Sequence, residues 1–153
     1  MALEDKTQGT GANEDWIAFE VLASATATNS PPASATAGID IVKLRDAFGG
    51  VIPADLSLVC ISTAGSATMT VTLKAWMRFG TLGAIATGAW CPVNIHGGSA
   101  IAEAATDVIR FAEPLSLSGH ADRLYIEITA IGGTLTAVTC FLVGRKQYAV
   151  GRA

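Results

Sequence analysis

The side chains able to do chemistry in this chain are few, and their spacing matches no known catalytic pattern. His96 and His120 are its two histidines. Nucleophilic catalysis needs a nucleophile, a base and a group that orients the base. No Gly-x-Ser-x-Gly elbow accompanies either histidine. His120 stands beside Asp122 in Gly119-His120-Ala121-Asp122, and His96 precedes Gly97-Gly98, so both read as exposed loop residues. The three cysteines, Cys60, Cys91 and Cys140, lack a Cys-x-x-Cys spacing, and no His-Glu-x-x-His occurs. Cys60 and Cys140 fall inside apolar runs and read as small buried hydrophobes. Gly9-Thr10-Gly11 is not followed by a third glycine, and no Gly-Lys-Ser/Thr phosphate cradle exists. Glu20, Glu103, Glu113 and Glu127 could supply the opposed carboxylates of a glycosidase. Spacing does not pair them, and they read as outward-facing solvating charges. No catalytic, cofactor-binding or metal-binding residue is expected, and the chain reads as a non-enzyme.

Trp76 carries the strongest binding signal. It lies between Lys74 and Arg78 on the polar face of an alternating run, where an indole suits an interface anchor. It could instead stack on a sugar ring, or be covered by a loop. Trp16 and Trp90 lie near strand ends and read as core or sheet-edge packing.

The bulk composition narrows the function classes. The 153 residues fit one domain with a real core. Half are hydrophobic and only 15% are charged, with mean hydropathy +0.44, which is greasy for a soluble monomer. No apolar run is long enough to cross a membrane as a helix, so surface buried between subunits is the favoured explanation. The net charge of −3 and the dispersed basic residues argue against nucleic acid as a partner. The start Met1-Ala2-Leu3-Glu4-Asp5 lacks the basic and apolar regions of a secretory signal. Synthesis in a reducing cytoplasm is expected.

Residues 1–15 are polar and aperiodic, the composition of a flexible N-terminal arm that orders on a partner or frays. Residues 16–153 are expected to form a single β-sandwich domain. Residues 16–22 (WIAFEVL) predict the first strand. Residues 24–38 (SATATNSPPASATAG) predict a long Pro/Ala/Ser/Thr surface loop. A strand-like run resumes over 38–44, with a short helix over 43–48 as the alternative. Gly49-Gly50 and Pro53 turn the chain.

Residues 56–62 and 67–78 predict a hairpin. In its second arm Met69, Val71, Leu73, Ala75 and Met77 share one face, while Lys74, Trp76 and Arg78 share the other. Another strand is predicted over 84–90, ended by Cys91-Pro92. Residues 100–105 fit a strand or a helical turn, and 108–111 a strand. The closing run ADRLYIEITAIGGTLTAVTCFLVGRKQ predicts a second hairpin about Ile131-Gly132-Gly133-Thr134. Its last arm is apolar on both faces: Leu135, Phe141 and Val143 on one, Val138, Cys140 and Leu142 on the other. A strand of that kind is covered on both sides. A second subunit is the simplest cover, and the 24–38 loop is the alternative. Val138, Cys140 and Leu142 therefore join Trp76, Lys74 and Arg78 as candidate interface residues.

About eight strands with frequent turn signals and no βα alternation predict an all-β fold, an antiparallel β-sandwich or jelly roll.

The stretch Gly119-His120-Ala121-Asp122 followed by RLYIEITAIGGTLTAVTCFLVGRK resembles the closing hairpin of small virion structural proteins of tailed bacteriophages. The Ala/Thr/Gly-rich body, polar N-terminal segment and scarce charge are similar to capsid decoration (cement) proteins. That resemblance implies a homo-oligomeric subunit, a trimer favoured, that binds the outside of a major capsid protein lattice without catalytic residues or cofactors. The protein would be made in the host cytoplasm and located in the virion. A phage tail, neck or adaptor component and a carbohydrate-binding sandwich are the alternatives.

Overall fold

In the strand Thr70–Arg78 the alternation is complete: Val71, Leu73, Ala75 and Met77 are at most 5% exposed, and the residues between them face outward. The same period-two pattern organises the rest of the computed structural model, which describes residues 16–62, 69–80, 89–102, 109–118, 120–133 and 137–146. Its strands are β1 (Trp16–Ala25), β2 (Ile39–Asp40), β3 (Ser57–Ser62), β4 (Thr70–Arg78), β5 (Trp90–Asn94), β6 (Ile101–Ala102), β7 (Arg110–Pro114), β8 (Arg123–Gly132) and β9 (Val138–Arg145). They form a four-stranded sheet, β1-β9-β3-β7, and a five-stranded one, β2-β8-β4-β5 with β6 also on β4.

Among the described residues every pairing is antiparallel and the pairings are nested. β1 meets β9, β2 meets β8, β3 meets β7, and β4 meets β5 and β6. One long ribbon is thus folded back at its β4–β5 end and rolled up, so that β3 joins β9 and β4 joins β8. This is jelly-roll order. The chain is an all-β antiparallel sandwich, with Leu58, Cys60, Leu73, Ile126, Ile128, Cys140 and Leu142 among the residues filling its centre. The expected arm, residues 1–15, lies outside the described residues, as do residues 84–88 of the predicted 84–90 strand.

Neither predicted hairpin forms. β3 and β4 belong to opposite sheets, and so do β8 and β9. Period-two patterning with a glycine between two runs is a local signal that does not say which sheet the second run joins. Here each arm has its own inward row, Leu124, Ile126 and Ile128 in β8 and Val138, Cys140 and Leu142 in β9, and the two rows belong to one core. Gly133 leaves β8 with a φ of 74°, a left-handed conformation that glycine adopts freely.

Of the strand expected over 38–44 only Ile39 and Asp40 form, and the alternative, a short helix, is the one realised, beginning two residues before 43. After two residues of β2 the chain enters α1 (Ile41–Ala47), capped by Asp40, whose carboxylate accepts the Val42 N–H at 2.8 Å. Ile41, Leu44 and Phe48 recur at helical spacing and are buried, so tertiary burial selects the helix. Cys91-Pro92 does not break a strand either. Both lie inside β5, an edge strand, where a missing N–H costs no ladder bond. Residues 101 and 102 form β6, and the strand expected over 108–111 is β7.

Gly144 shows how tightly α1 is docked. A Cβ there would stand 2.7 Å from Leu56 Cδ2 and 3.5 Å from Phe48 Cε1. Gly144→Ala is expected to cost about 1–3 kcal/mol through overpacking, read as a lower urea midpoint at unchanged slope.

Candidate functional site

The outer face of the five-stranded sheet gathers Lys74, Trp76 and Arg78 as expected. Register places Lys74 opposite Glu127 and Asn94, Trp76 opposite Tyr125 and Pro92, and Arg78 opposite Arg123 and Trp90. The Trp76 indole donates to Glu127 Oε1 at 2.8 Å, and Lys74 Nζ lies 5.6 Å from the centre of the indole ring. Arg78 Nη1 bonds Asp122 Oδ2 at 2.6 Å. Asp122 is therefore engaged by Arg78 across 44 residues of chain, while the backbone N–H of His120 donates to Ser118 Oγ. Glu127, expected to solvate the surface, is 6% exposed and held by Trp76, 51 residues away.

Trp90 and Trp16 take the sheet-edge alternative and not the core, each at the start of an edge strand, β5 and β1. Trp90 sits on this outer face, edge-on to Tyr125 at 6.3 Å. Trp16 is 43% exposed on the other sheet, with the Arg145 guanidinium 5.5 Å from its ring centre.

The loop of residues 26–38 is strapped along this same sheet. Asn29 acts as a one-residue strand: its Oδ1 accepts Ile128 N–H at 2.6 Å and its Nδ2 donates to Ile126 O at 3.2 Å. Tyr125 donates to Ser30 O, Trp90 to Ser34 O, and Arg123 to the carbonyls of Thr36, Ala37 and Gly38. Such charge-assisted bonds satisfy loop carbonyls that would otherwise compete for water. The loop folds back, but on the five-stranded sheet and not over β9.

Val138, Cys140 and Leu142 are not interface residues. All three point inward and are buried between the sheets. Cys60 and Cys140 face each other directly across β3 and β9 as free thiols. The hydrogen bond to Cys60, together with burial, pushes the Cys140 thiol far above its ordinary range, which leaves it unreactive.

The opposite face of β9 carries the signal. Phe141 lies in a row with Glu20, Val59 and Ala112, and Val143 in a row with Ala18, Ser57 and Pro114. Thr139, Ile61 and Arg110 make a third row. Ile61 is 36% exposed, and no described residue outside the sheet hydrogen-bonds to Val59, Ile61, Phe141 or Val143. Phe141, Val143 and Val59 are half-buried and, with Ile61, form an outward apolar stripe along the two middle strands, β9 and β3, between the charged rims of β1 and β7. A contiguous apolar stripe of that kind on a surface points to a contact.

His96 sits at the sandwich edge. Glu113 Oε2 accepts its backbone N–H at 2.8 Å, Oε1 lies 4.0 Å from Nδ1, and the ring stands edge-on to Phe111 at 5.1 Å. The carboxylate supports a residue held at a φ of 55°. Among the described residues no group of three or more His, Cys, Asp or Glu side chains could hold a metal ion. No helix among them is long and apolar enough to cross a membrane. The chain matches no known family model, no curated protein and no solved structure.

Two predictions follow from the outer face of the five-stranded sheet. Trp76→Phe removes the donor to a nearly buried carboxylate and is expected to cost about 1–3 kcal/mol. Adding Glu127→Leu should restore part of that loss, as a thermal or urea double-mutant cycle would show. Tyr125 is raised above the ordinary tyrosine value, first by burial and second by the charge of Glu127. The folded state thus favours the neutral phenol. Its stabilising contribution is complete below about pH 10 and fades as pH rises through the folded value. The absorbance titration of the protein minus that of Tyr125→Phe should show this late phenol.

Proposed function

We propose that this protein is a non-enzymatic virion structural subunit that binds and stabilises the outer surface of a tailed-phage capsid lattice. The observation that carries the reading is the apolar outer face built from Phe141, Val143, Val59 and Ile61. A subunit working alone gains nothing from such a face, whereas a subunit of an assembly buries it. At about 25 cal/mol per Å2 of apolar area, modest contacts repeated over a shell add up through multivalency.

Two further observations bear on it. The resemblance of residues 119–146 to phage virion proteins was to a closing hairpin, and since the two runs occupy opposite sheets it lends the reading only its sequence character. Jelly-roll order recurs in viral capsid domains, but also in lectins, so fold alone assigns nothing. On this reading the partners are further copies of the chain and a major capsid protein. Lys74, Trp76 and Arg78 would face the lattice, preordered by Glu127 and Asp122, so that binding freezes few rotamers.

The carbohydrate-binding alternative draws on Trp76, Trp90 and Tyr125 sharing one face. Lys74 lying over the Trp76 ring counts against sugar stacking there. The tail, neck or adaptor alternative keeps the same surfaces and changes the particle.

The test mixes the full chain with expanded, undecorated phage shells and, separately, with tail tubes, and sediments each. Saturable co-sedimentation with shells, weakened about ten-fold by Lys74→Gln, is expected. Binding to tail tubes alone would transfer the protein to the tail. Glycan-array binding that Trp76→Ala abolishes, with neither particle bound, would replace the structural reading.

A further inference from the structure

We propose that the outer face of the four-stranded sheet is where a second copy of this chain packs, face to face about a two-fold axis. In that arrangement Glu20 of each copy meets Arg110 of the other. The inference rests on the assembly reading above for the use of the apolar face, and it names the partner that covers it.

The edges of the sandwich disfavour the other way in which β proteins associate. β1 carries two irregularities in its register, between Glu20 and Leu22 and between Leu22 and Ala25. β5 holds Pro92 at its middle, β7 is five residues long and ends at Pro114, and β2 has two residues. Bulges, prolines and short strands are the devices that stop edge-to-edge pairing. Among the described residues, the middle of the four-stranded sheet's face, Phe141, Val59, Val143 and Ile61, carries no such device.

Charge marks the occupant as the chain itself. Glu20 is exposed on β1, one rim of the face, and Arg110 is exposed on β7, the other rim. Neither has an ion-pair partner among the described residues. The two rims are three strand spacings apart, about 14 Å, so the pair cannot close within one copy. A two-fold axis running along the strands lays β1 of one copy over β7 of the other. Glu20 then stands over Ala112, its row partner across the sheet, with Arg110 two residues along, about 7 Å away and within reach of two long side chains. Symmetry forms the contact twice. Phe141, Val59, Val143 and Ile61 meet their counterparts between these rims, at the roughly 10 Å spacing of packed sheets.

The face is four strands wide and about 20 Å long, small for a permanent interface. A reversible dimer dissociating at roughly micromolar concentration is therefore expected.

Sedimentation velocity of the full chain over a concentration series, without shells present, tests this. The expected result is a concentration-dependent mass of two copies. Glu20→Arg and Arg110→Glu, both at exposed positions, should each weaken it about ten-fold by setting like charges together. The double variant should return to near the starting affinity. Phe141→Ser should abolish the dimer while circular dichroism reports an intact sheet. A monomer at every concentration, a three-copy mass, or indifference to both charge reversals would overturn the proposal. So would a dimer that tightens when residues 1–15 are removed, because that segment would then be the cover. A monomer that still sediments with shells retires the two-fold and leaves the capsid reading standing. A dimer that ignores shells does the reverse.

Discussion

The pairing of β1 with β9 is the constraint on which the rest of the molecule depends. It sets Trp16 opposite Arg145, the start of the first strand and the end of the last, and every other pairing nests inside it. Closing so long a ribbon costs loop entropy before any contact repays it. Once it closes, β9 has β1 on one side and β3 on the other, and becomes the middle of its sheet. The inward row completes the core with Leu58 and Cys60, and the outward row supplies Phe141 and Val143 to the exposed face.

The two sheets handle their outer faces by opposite means. The five-stranded sheet is covered by polar bonds: Arg123 holds three successive carbonyls of the 26–38 loop, and Asn29 imitates a strand along β8. The same face buries the Glu127 carboxylate, tolerable because the Trp76 indole donates to it and Lys74 stands alongside. Hydrogen bonds of this kind fix the loop in place. Val59, Ile61, Phe141 and Val143 offer the loop no donors or acceptors, and the four-stranded sheet is left without an equivalent strap among the described residues.

Much of the fold was legible from residue spacing, and the failures have a common physical cause. The alternation of Met69 through Met77 identified its buried row residue by residue, because only one side of that run is apolar. In β9 both sides are apolar, so spacing separates Val138, Cys140 and Leu142 from Phe141 and Val143 without saying which set faces in. Only the opposite sheet decides that. The hairpins failed for the same reason: turn residues such as Gly132-Gly133 report a change of direction, and the destination sheet is a tertiary fact. The short helix offered over 43–48 was legible in kind, but the β-branched character of Ile39, Ile41 and Val42 masked its start, which the Asp40 cap and the Ile41, Leu44, Phe48 stripe set. Trp76 was legible as an anchor, whereas its partner Glu127 lies 51 residues away and no local pattern links them.

Blunted edges and an apolar face without a strap among the described residues belong to one solution. An unprotected edge strand offers backbone groups that any extended chain can use, and such pairing propagates without limit. A face recognises by shape and by the placement of its charges, and two faces related by a two-fold consume each other and stop. Pro92 in β5, the irregular register of β1 and the short β7 close the open-ended route. Glu20 and Arg110, on opposite rims, set the orientation in which the apolar rows can meet. A subunit built to join a counted assembly needs both halves of that arrangement, since oily surface alone would bring copies together without fixing how many.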